Sequence, residues 1–368
     1  MEVTLKIAVD AMGGDFAPER VVEGAVLAAR NFGMEIILVG DEAKVGEELK
    51  RHDTSGLRIT IQQASEMVRM DESPVEALRK KKDSSIRVAV NLVKENAADA
   101  MLSAGNTGAV MATAQFVLRT IPGVDRPAIA TVLPNIKGIS LILDVGANVD
   151  SRPHNLVQFG IMGELYARHV LGKKRPTVGL LSIGAEDVKG NELTREVLRV
   201  MKSSPLNFIG NIEGRDVYNG AVDVIVCDGF VGNIALKISE GVASVMTQVL
   251  RQEIESLGWR KIGYRLLSPA FQRFRKRFDY SEYGGAPLLG VNGNVIISHG
   301  GSSVKALMNG IRIAAECVQH SIQKKIAAGM LEHEGVMRDM KEAGSLAFQQ
   351  GDEKAKGMMS ARCEKREE

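Results

Sequence analysis

The stretch LKIAVDAMGGD (residues 5–15) contains, in order, the parts from which the rest of the chain is built. Residues 5–9 are apolar apart from Lys6, and the acidic residue Asp10 follows them. Such an apolar run indicates a buried strand that ends at Asp10. Gly13 and Gly14 then turn the chain, and Pro18 suits the first turn of a helix. The stretch therefore predicts a strand, a tight loop and a helix.

The same order recurs along the chain. Further apolar runs of strand length lie at residues 35–40, 57–62, 99–103, 139–144, 178–183, 207–210, 222–227 and 295–298. Segments of helical length separate most of them, and strands that alternate with helices form βαβ units. The sequence thus predicts an α/β fold with a mainly parallel sheet, in which ligands bind at the carboxyl ends of the strands.

The composition is that of a globular protein. Of the 368 residues, 45% are hydrophobic and 25% are charged, and the net charge is +2. So small a net charge gives no argument for nucleic acid. The three cysteines, Cys227, Cys317 and Cys363, have neither metal-ligand nor disulfide spacing, which favours a reducing cytoplasm. No apolar run approaches the ~20 residues that span a bilayer, so we expect a protein that is soluble or lies on a membrane surface.

Glycine- and asparagine-rich loops follow several predicted strands. They include SAGNTGA (residues 103–109), DGFVGN (residues 228–233) and HGGSS (residues 299–303), and each opens into a predicted helix. Such a loop offers backbone N–H groups and the positive end of a helix dipole to an anion. Walker A, lipase-elbow and zinc-protease motifs are absent, and DAMGGD (residues 10–15) lacks the dinucleotide-binding spacing. The pattern favours a phosphate-handling enzyme that works by positioning its substrates.

Two residues are candidates for the chemistry. Lys189, in SIGAEDVKGN (residues 182–191), lies where a cation can meet a phosphate, although a solvated charge run explains it equally well. Asn233 can donate to a carbonyl or phosphate oxygen. Cys227 is interpreted as a small buried hydrophobe, and His154 as a structural residue.

The loop at residues 103–109 offers uncharged hydrogen-bonding groups. Asn106 and Thr107 lie among small residues that leave the backbone bare, so that a ligand can approach closely. A helix N-cap accounts for Asn106 on its own. We favour a ligand-binding loop, because so many small neighbours are more than a cap requires.

Residues 250–283 interleave aromatic and basic side chains. The aromatic and leucine residues that we expect to meet lipid are Trp259, Leu266, Leu267, Phe271 and Phe274. A basic amphipathic segment of this kind binds anionic membrane surfaces. We expect it to project as a helical pair that contacts lipid and helps to form a dimer. The alternative is that the aromatics pack in the dimer core while the cations are solvated or bind an acidic protein.

Six motifs occur together and in order. They are DAMGGD (10–15), SAGNTG (103–108), DVGAN (144–148), KGNE (189–192), DGFVGN (228–233) and GGAPLLG (284–290). With this set the chain resembles the PlsX-type phosphate acyltransferases of bacterial phospholipid synthesis over roughly residues 5–330. Each motif alone is weak, but the ordered set is specific.

The resemblance implies a three-layer α/β/α sandwich, similar to the isocitrate and isopropylmalate dehydrogenases, and a homodimer. It implies transfer of a fatty acyl group from acyl carrier protein to inorganic phosphate, giving an acyl phosphate that a glycerol-3-phosphate acyltransferase then uses. It also implies peripheral attachment to the inner face of the cytoplasmic membrane. We expect no cofactor, no metal ion and no nucleic acid partner.

The family motifs place Lys189 and Asn233 at the catalytic centre. The residues implied to bind phosphate and substrate are Gly13, Gly14, Asn106, Thr107, Gly108, Asn148, Gly190 and Gly232. Because phosphate is itself the nucleophile, no covalent acyl-enzyme is required. Lys189 can neutralise the phosphate while Asn233 donates to the oxyanion, and the two roles can be exchanged.

Other functions remain open at this point. A phosphotransacetylase that uses acyl-coenzyme A and a dinucleotide-dependent dehydrogenase would have similar scaffolds, and a non-catalytic membrane scaffold for lipid-synthesis proteins is a further alternative. We expect residues 1–333 to form one catalytic domain, from which residues 250–283 project. Residues 334–368 are predicted to be a charged, partly disordered tail.

Overall fold

The computed structural model describes residues 4–256, residue 269 and residues 280–335. The strands in this part are β1 (Lys6–Asp10), β2 (Glu35–Gly40), β3 (Ile59–Gln63), β4 (Ala100–Ser103), β5 (Ala128–Asn135), β6 (Gly138–Leu143), β7 (Val178–Leu181), β8 (Phe208–Ile212), β9 (Val224–Val226), β10 (Ala286–Leu289) and β11 (Asn294–Ile297).

Helices connect most of these strands. They are α1 (Glu19–Phe32), α2 (Glu42–Leu49), α3 (Pro74–Lys80), α4 (Ser85–Lys94), α5 (Thr107–Val117), α6 (Pro153–His169), α7 (Glu192–Ser203), α8 (Asp216–Asn219), α9 (Gly229–Ser256), α10 (Val304–Gln319) and α11 (Ile322–Glu332), with a short 3₁₀ helix at Tyr280–Glu282. Every strand predicted from the sequence is present, with its ends shifted by up to two residues.

The strands form one eleven-stranded sheet in the order β3-β2-β1-β4-β11-β10-β5-β6-β9-β7-β8. The five strands from β3 to β11 are parallel to one another, and so are the four strands from β6 to β8. Between the two sets, β10 and β5 pair only in antiparallel fashion. Three antiparallel steps reverse the direction, so the two parallel sets run in opposite directions.

The two central strands, β5 and β10, were not predicted from the sequence. No helix separates β5 from β6, because Ile136 and Lys137 make a two-residue turn between Asn135 and Gly138. Each unpredicted strand also contains a proline, Pro134 or Pro287, which is rare within a sheet. A prediction based on the alternation of strands and helices therefore misses both strands.

Helices cover both faces of the sheet, as the alternation of side chains along each strand requires. In β1, Ile7 and Val9 join a core with α1, α2, α6, α7, α10 and α11, whereas Ala8 joins a core with α3, α4, α5, α8 and α9. The arrangement is a three-layer α/β/α sandwich with a mainly parallel sheet, and it confirms the predicted fold class.

Helix α9 is the longest helix in the described part of the chain. Its 28 residues span about 42 Å at 1.5 Å per residue. Ile238, Val242, Val245 and Val249 recur at helical spacing and are 49–61% exposed. The described residues contain no helix that is both long and apolar enough to cross a bilayer.

The predicted membrane-binding side chains lie outside the described residues. These are Trp259, Leu266, Leu267, Phe271 and Phe274, and the same holds for the predicted tail beyond residue 335. The role of residues 250–283 and the state of the tail therefore stay predictions.

Candidate functional site

A cleft of about 410 Å³ lies on the face of the sheet that α5 and α9 cover. Its floor is β5, from which Ile129, Thr131 and Leu133 point the same way because alternate residues of a strand share a face. Helix α9 forms one wall, and the loops after β4 and β11 form the other. The cleft therefore lies across the centre of the sheet, where the two parallel sets meet.

The buried carboxylate of Asp144 organises one end of this cleft. Its Oδ1 accepts hydrogen bonds from the backbone N–H groups of Ile129 (3.1 Å), Gly146 (3.2 Å) and Ala147 (2.9 Å). Its Oδ2 accepts from the backbone N–H of Asn148 (2.7 Å) and from the same residue's side-chain amide (2.9 Å). Burial raises the pKa of Asp144, and these bonds oppose that shift. The loop of residues 144–148 is thereby fixed to β5.

Helix α9 begins directly on this loop. The N–H of Gly229 donates to the carbonyl of Asn148 (2.9 Å), and the carboxylate of Asp228 caps the helix by accepting from Val231 (2.9 Å). A Cβ at Gly232 would overlap the carbonyl oxygen of Asp144 and lie 2.9 Å from the Cys227 sulfur. Only glycine permits so close an approach.

This contact brings Asn233 into the cleft. Its half-buried side chain lies beside Gly146, where a Cβ would be 3.6 Å from the Asn233 Cγ. The sequence suggested a loop through residue 233, but Gly232 and Asn233 lie within the first two turns of α9. The amide therefore projects from a rigid helix next to the Asp144 loop, where it can donate a hydrogen bond to a bound oxygen atom.

A second buried acid organises the opposite wall. The hydroxyl of Ser103 donates to Asp10 (2.6 Å) and accepts from the N–H of Gly105 (3.0 Å). Burial raises the pKa of Asp10. The loop after β4 is thus held against the end of β1, and Thr107 and Gly108 line the cleft.

The side chain of Asn106 is engaged in internal hydrogen bonds. Its Oδ1 caps α5 by accepting from Ala109 (3.0 Å), and its Nδ2 donates to the carbonyl oxygens of Arg69 (3.3 Å), Met70 (3.0 Å) and Glu72 (3.1 Å). The amide of Asn148 is similarly used, since it donates to Pro127 (2.8 Å) and to Asp144. Both residues shape loops at the cleft and do not line it.

The remaining predicted site residues divide between the cleft and its surroundings. Thr107, Gly108 and Asn233 are among the residues that line the cleft, whereas Gly13, Gly14, Lys189, Gly190 and Gly232 are not. Gly13 and Gly14 pack against the loop after β4, and Gly190 adopts φ +102° beside the hydroxyl of Ser182.

Lys189 lies at a neighbouring strand end. Strand β7, which precedes its loop, pairs with β9, which precedes Asn233, and the two strands are parallel. The two predicted catalytic residues therefore emerge at the same edge of the sheet. The Lys189 side chain is exposed in its loop, and the backbone N–H of Lys189 donates to Glu186 (3.0 Å).

Several residues that line the cleft were not among the predicted site residues, although His299 belongs to the glycine-rich loop HGGSS that the sequence indicated. Lys237 follows Asn233 by four residues, which places both on the same face of α9. His299 also lines the cleft, and its Nδ1 accepts from the N–H of Gly301 (3.0 Å). The helical spacing would have identified Lys237, whereas nothing local marks the floor residue Thr131, because β5 was not predicted.

Two of the cysteines are buried and unsuited to nucleophilic attack. Burial raises the pKa of Cys227 well above its usual value, and the nearby carboxylates of Asp144 and Asp228 raise it further. Burial raises the pKa of Cys317 to about 12. Thiolates are the nucleophilic form, so neither is available at neutral pH. His154 pairs with Asp125 (2.9 Å), which agrees with a structural role.

Sequence comparison identifies the family. The sequence model of the fatty acid synthesis protein family matches residues 5–325. A phosphate acyltransferase from Geobacter sulfurreducens is 54% identical over 326 residues, which cover 89% of this chain and 94% of that protein. Another, from Pelobacter propionicus, is 53% identical over 337 residues, covering 91% and 97%. The chain therefore belongs to this family, the PlsX-type phosphate acyltransferases.

Membership makes the protein an acyltransferase enzyme of fatty acid and phospholipid synthesis. The alternatives of a dehydrogenase and of a non-catalytic scaffold are thereby set aside.

Two solved structures have a similar fold. A phosphotransacetylase from Streptococcus pyogenes superposes with a TM-score of 0.58 at 20% identity, covering 86% of this chain and 94% of that one. A branched-chain phosphotransacylase from Enterococcus faecalis gives 0.54 at 16% identity, covering 86% and 100%. At such low identity the likeness concerns the fold alone.

The contact between Gly232 and Asp144 predicts a sharp difference between two glycines of α9. Gly232→Ala should lower the free energy of unfolding by about 1–3 kcal/mol or more, because the new methyl group overlaps the Asp144 carbonyl. Gly241→Ala is the matched control: nothing lies within 4 Å of its Cβ position, and alanine should stabilise the helix by up to about 1 kcal/mol. Chemical denaturation measures both, and equal effects would contradict the proposed packing.

Proposed function

We propose that the protein transfers a fatty acyl group from acyl carrier protein to inorganic phosphate by direct attack of phosphate. The observation that carries the proposal is the position of Asn233, a hydrogen-bond donor held on a helix beside the apolar floor of the cleft. The neighbouring residues Ile129, Leu133 and Leu236 can bury an acyl chain while the amide contacts its carbonyl.

The reaction requires a phosphate oxygen to bond to the thioester carbonyl carbon. The carbonyl electron pair becomes an oxyanion, and its return expels the thiolate as the carbon–sulfur bond breaks. Holding the two reactants together contributes up to about 7–11 kcal/mol. One well-placed donor to the oxyanion contributes about 2.7–4 kcal/mol, and we assign this role to Asn233. A thiolate is a good leaving group, so a strong general acid is unnecessary.

A cation is needed to hold the phosphate dianion. Lys189 emerges at the same sheet edge as Asn233, and a lysine side chain is long enough to extend from its loop toward the phosphate. Thr107 and Gly108 line the cleft beside it. We keep Gly13, Gly14, Asn106, Asn148, Gly190 and Gly232 in the proposal as residues that shape the loops around the phosphate and substrate site. Lys237, four residues beyond Asn233 and in the wall of the cleft, is the competing cation.

We further propose a homodimer that attaches to the inner face of the cell membrane. The exposed apolar residues Ile238, Val242, Val245 and Val249 supply a face of α9 that a second copy can cover. Residues 250–283, which begin within the last turns of α9, would meet anionic lipid. There the acyl phosphate would be passed to a glycerol-3-phosphate acyltransferase.

The donor is tested by comparing thioesters. Acyl phosphate formation from acyl carrier protein should exceed that from acyl-coenzyme A by at least ~10-fold in kcat/KM. This ratio corresponds to about 1.4 kcal/mol of stabilisation from additional contacts with the carrier protein. Product identity is established by mass spectrometry. Preference for acyl-coenzyme A would instead establish a phosphotransacetylase-like enzyme. Trapping of an acylated side chain during turnover would contradict direct attack by phosphate.

The assigned residues are tested by three single variants. Asn233→Ala and Lys189→Ala should each lower kcat/KM by at least ~100-fold, because each removes a transition-state contact. Circular dichroism spectra should be unchanged, since neither side chain is buried in the core. Lys237→Ala is the matched comparison and should raise KM for phosphate with little loss of kcat. If Lys237→Ala loses more kcat/KM than Lys189→Ala, the phosphate-binding role belongs to Lys237.

Membrane attachment is tested by co-sedimentation with vesicles. Leu266→Glu with Leu267→Glu should release the protein from anionic vesicles while soluble acyl phosphate synthesis continues, because two charges oppose insertion at the headgroup boundary. The control double variant, Ile136→Glu with Leu331→Glu, adds the same charge at exposed apolar positions elsewhere and should still sediment. Equal behaviour of the two double variants is the result that rejects the membrane role.

A further inference from the structure

The wall of the cleft opposite Asn233 contains backbone donors at the start of a helix. Thr107 and Gly108 are the first two residues of α5, and both line the cleft. The side chain of Asn106 caps this helix by accepting from Ala109 (3.0 Å). The N–H groups of Thr107 and Gly108, in contrast, donate to no acceptor in residues 4–256, 269 and 280–335. Free N–H groups at the positive end of a helix dipole favour an anion, although a helix terminus alone does not define a binding site.

Ser302 adds a second and independent observation. It is only 3% exposed, yet it is among the residues that line the cleft. Within the part of the chain that the structure describes, its hydroxyl has no hydrogen-bond partner. Buried hydroxyl groups are nearly always hydrogen-bonded, because the loss of water without a replacement is unfavourable. We therefore expect the partner of Ser302 to be a ligand bound in the cleft.

His299 contributes a further donor to the same wall. Its Nδ1 accepts from the N–H of Gly301 (3.0 Å), so the hydrogen of the neutral ring is on Nε2. The N–H of Ser302 donates to the His299 carbonyl (2.9 Å), which closes residues 299–302 into a tight turn. This turn follows β11, which pairs with β4, the strand before α5. The imidazole, the hydroxyl and the start of α5 therefore lie at neighbouring strand ends.

The strand register brings this wall opposite Asn233. Through β10 and β5, Ile297 at the end of β11 lies within one residue of the level of Leu143 at the end of β6. Three strand spacings separate β11 from β6, which is about 14 Å across the floor. The Asn233 side chain lies beside Gly146 in the loop after β6. Hydrogen-bond donors thus border both sides of a gap in which a phosphate and a carbonyl group can lie side by side.

We infer that Ser302, His299 and the N–H groups of Thr107 and Gly108 form a phosphate-binding pocket opposite Asn233. The inference rests on the proposed function, since it takes the cleft as the site of acyl transfer. It assigns two ligands, Ser302 and His299, that were not among the predicted site residues. Hydroxyl groups, imidazole N–H groups and helix N-termini all donate to phosphate oxygens.

Two sources supply a phosphate group to such a pocket. One is the inorganic phosphate that accepts the acyl chain, and the other is a phosphate group carried by the acyl donor. The position across from Asn233 favours inorganic phosphate, because the attacking oxygen must lie close to the carbonyl carbon whose oxygen Asn233 contacts.

The first experiment measures phosphate binding in the absence of an acyl donor. Thermal unfolding of the full-length protein at increasing inorganic phosphate, with the ionic strength held constant, gives the Kd. Ser302→Ala should raise this Kd by at least ~10-fold, which corresponds to about 1.4 kcal/mol, because a hydrogen bond to a charged ligand is lost.

The matched control is Ser303→Ala, the same substitution at the adjacent residue. The Ser303 hydroxyl caps α10 by accepting from Ala306 (3.2 Å), so this variant should lower Tm but leave the Kd for phosphate unchanged. Equal Kd values for Ser302→Ala and the wild-type protein would overturn the pocket.

Two variants of His299 separate phosphate binding from support of the loop. His299→Asn keeps an acceptor for Gly301 but removes the donor at the Nε2 position, whereas His299→Gln keeps a donor there and loses that acceptor. His299→Asn should raise the Kd by at least ~5-fold, and His299→Gln by less than ~2-fold. The reverse order would show that His299 only supports the loop and would remove it from the pocket.

Steady-state kinetics identify the source of the phosphate group. With inorganic phosphate as the ligand, Ser302→Ala should raise KM for phosphate and leave KM for the acylated carrier protein unchanged. A rise in KM for the acyl donor alone would reject inorganic phosphate as the ligand.

The outcome is separable from that of the proposed function. A protein that binds phosphate through Ser302 but forms no acyl phosphate would retain the pocket and reject the proposed function. Normal acyl phosphate synthesis together with an unchanged Kd in Ser302→Ala would support the proposed function and reject the pocket.

Discussion

The burial of the Asp144 carboxylate is the constraint on which the cleft depends. A carboxylate removed from water is tolerated only when hydrogen bonds replace its hydration, and here five N–H bonds converge on two oxygen atoms. Those bonds connect the start of β5 to the loop of residues 144–148. Because α9 begins on the same loop, through Gly229 and Gly232, the position of Asn233 is also fixed.

The reversal of strand direction at β5 and β10 explains why the cleft lies where it does. In a sheet with one direction, all the glycine-rich loops would meet along a single edge. Here the loops after β1, β4 and β11 leave one edge, and those after β6, β7 and β9 leave the other. The central antiparallel strands let both groups border a cleft on the face of the sheet, with Thr107 on one side and Asn233 on the other.

Such an arrangement suits chemistry that proceeds by positioning. The floor of the cleft is mainly apolar, and the uncharged amide of Asn233 provides a hydrogen-bond donor on a rigid helix. The buried cysteines have raised pKa values, so these thiols are held in the protonated form and contribute to packing. Preorganised dipoles in a site shielded from water are more effective than the same groups in solution.

The sequence by itself determined the alternation of strands and helices, the fold class and, through six ordered motifs, the family. These properties are local: hydrophobic periodicity and glycine at tight turns are visible in short windows. Only the tertiary structure showed that β5 and β10 are strands and that the two parallel sets run in opposite directions. It also showed that Asn233 lines the cleft and that Lys189 does not. Strand direction and the depth of a side chain depend on residues far apart in the chain. Position 232 is an example: it requires glycine because the carbonyl of Asp144, 88 residues earlier in the sequence, lies where a Cβ would be.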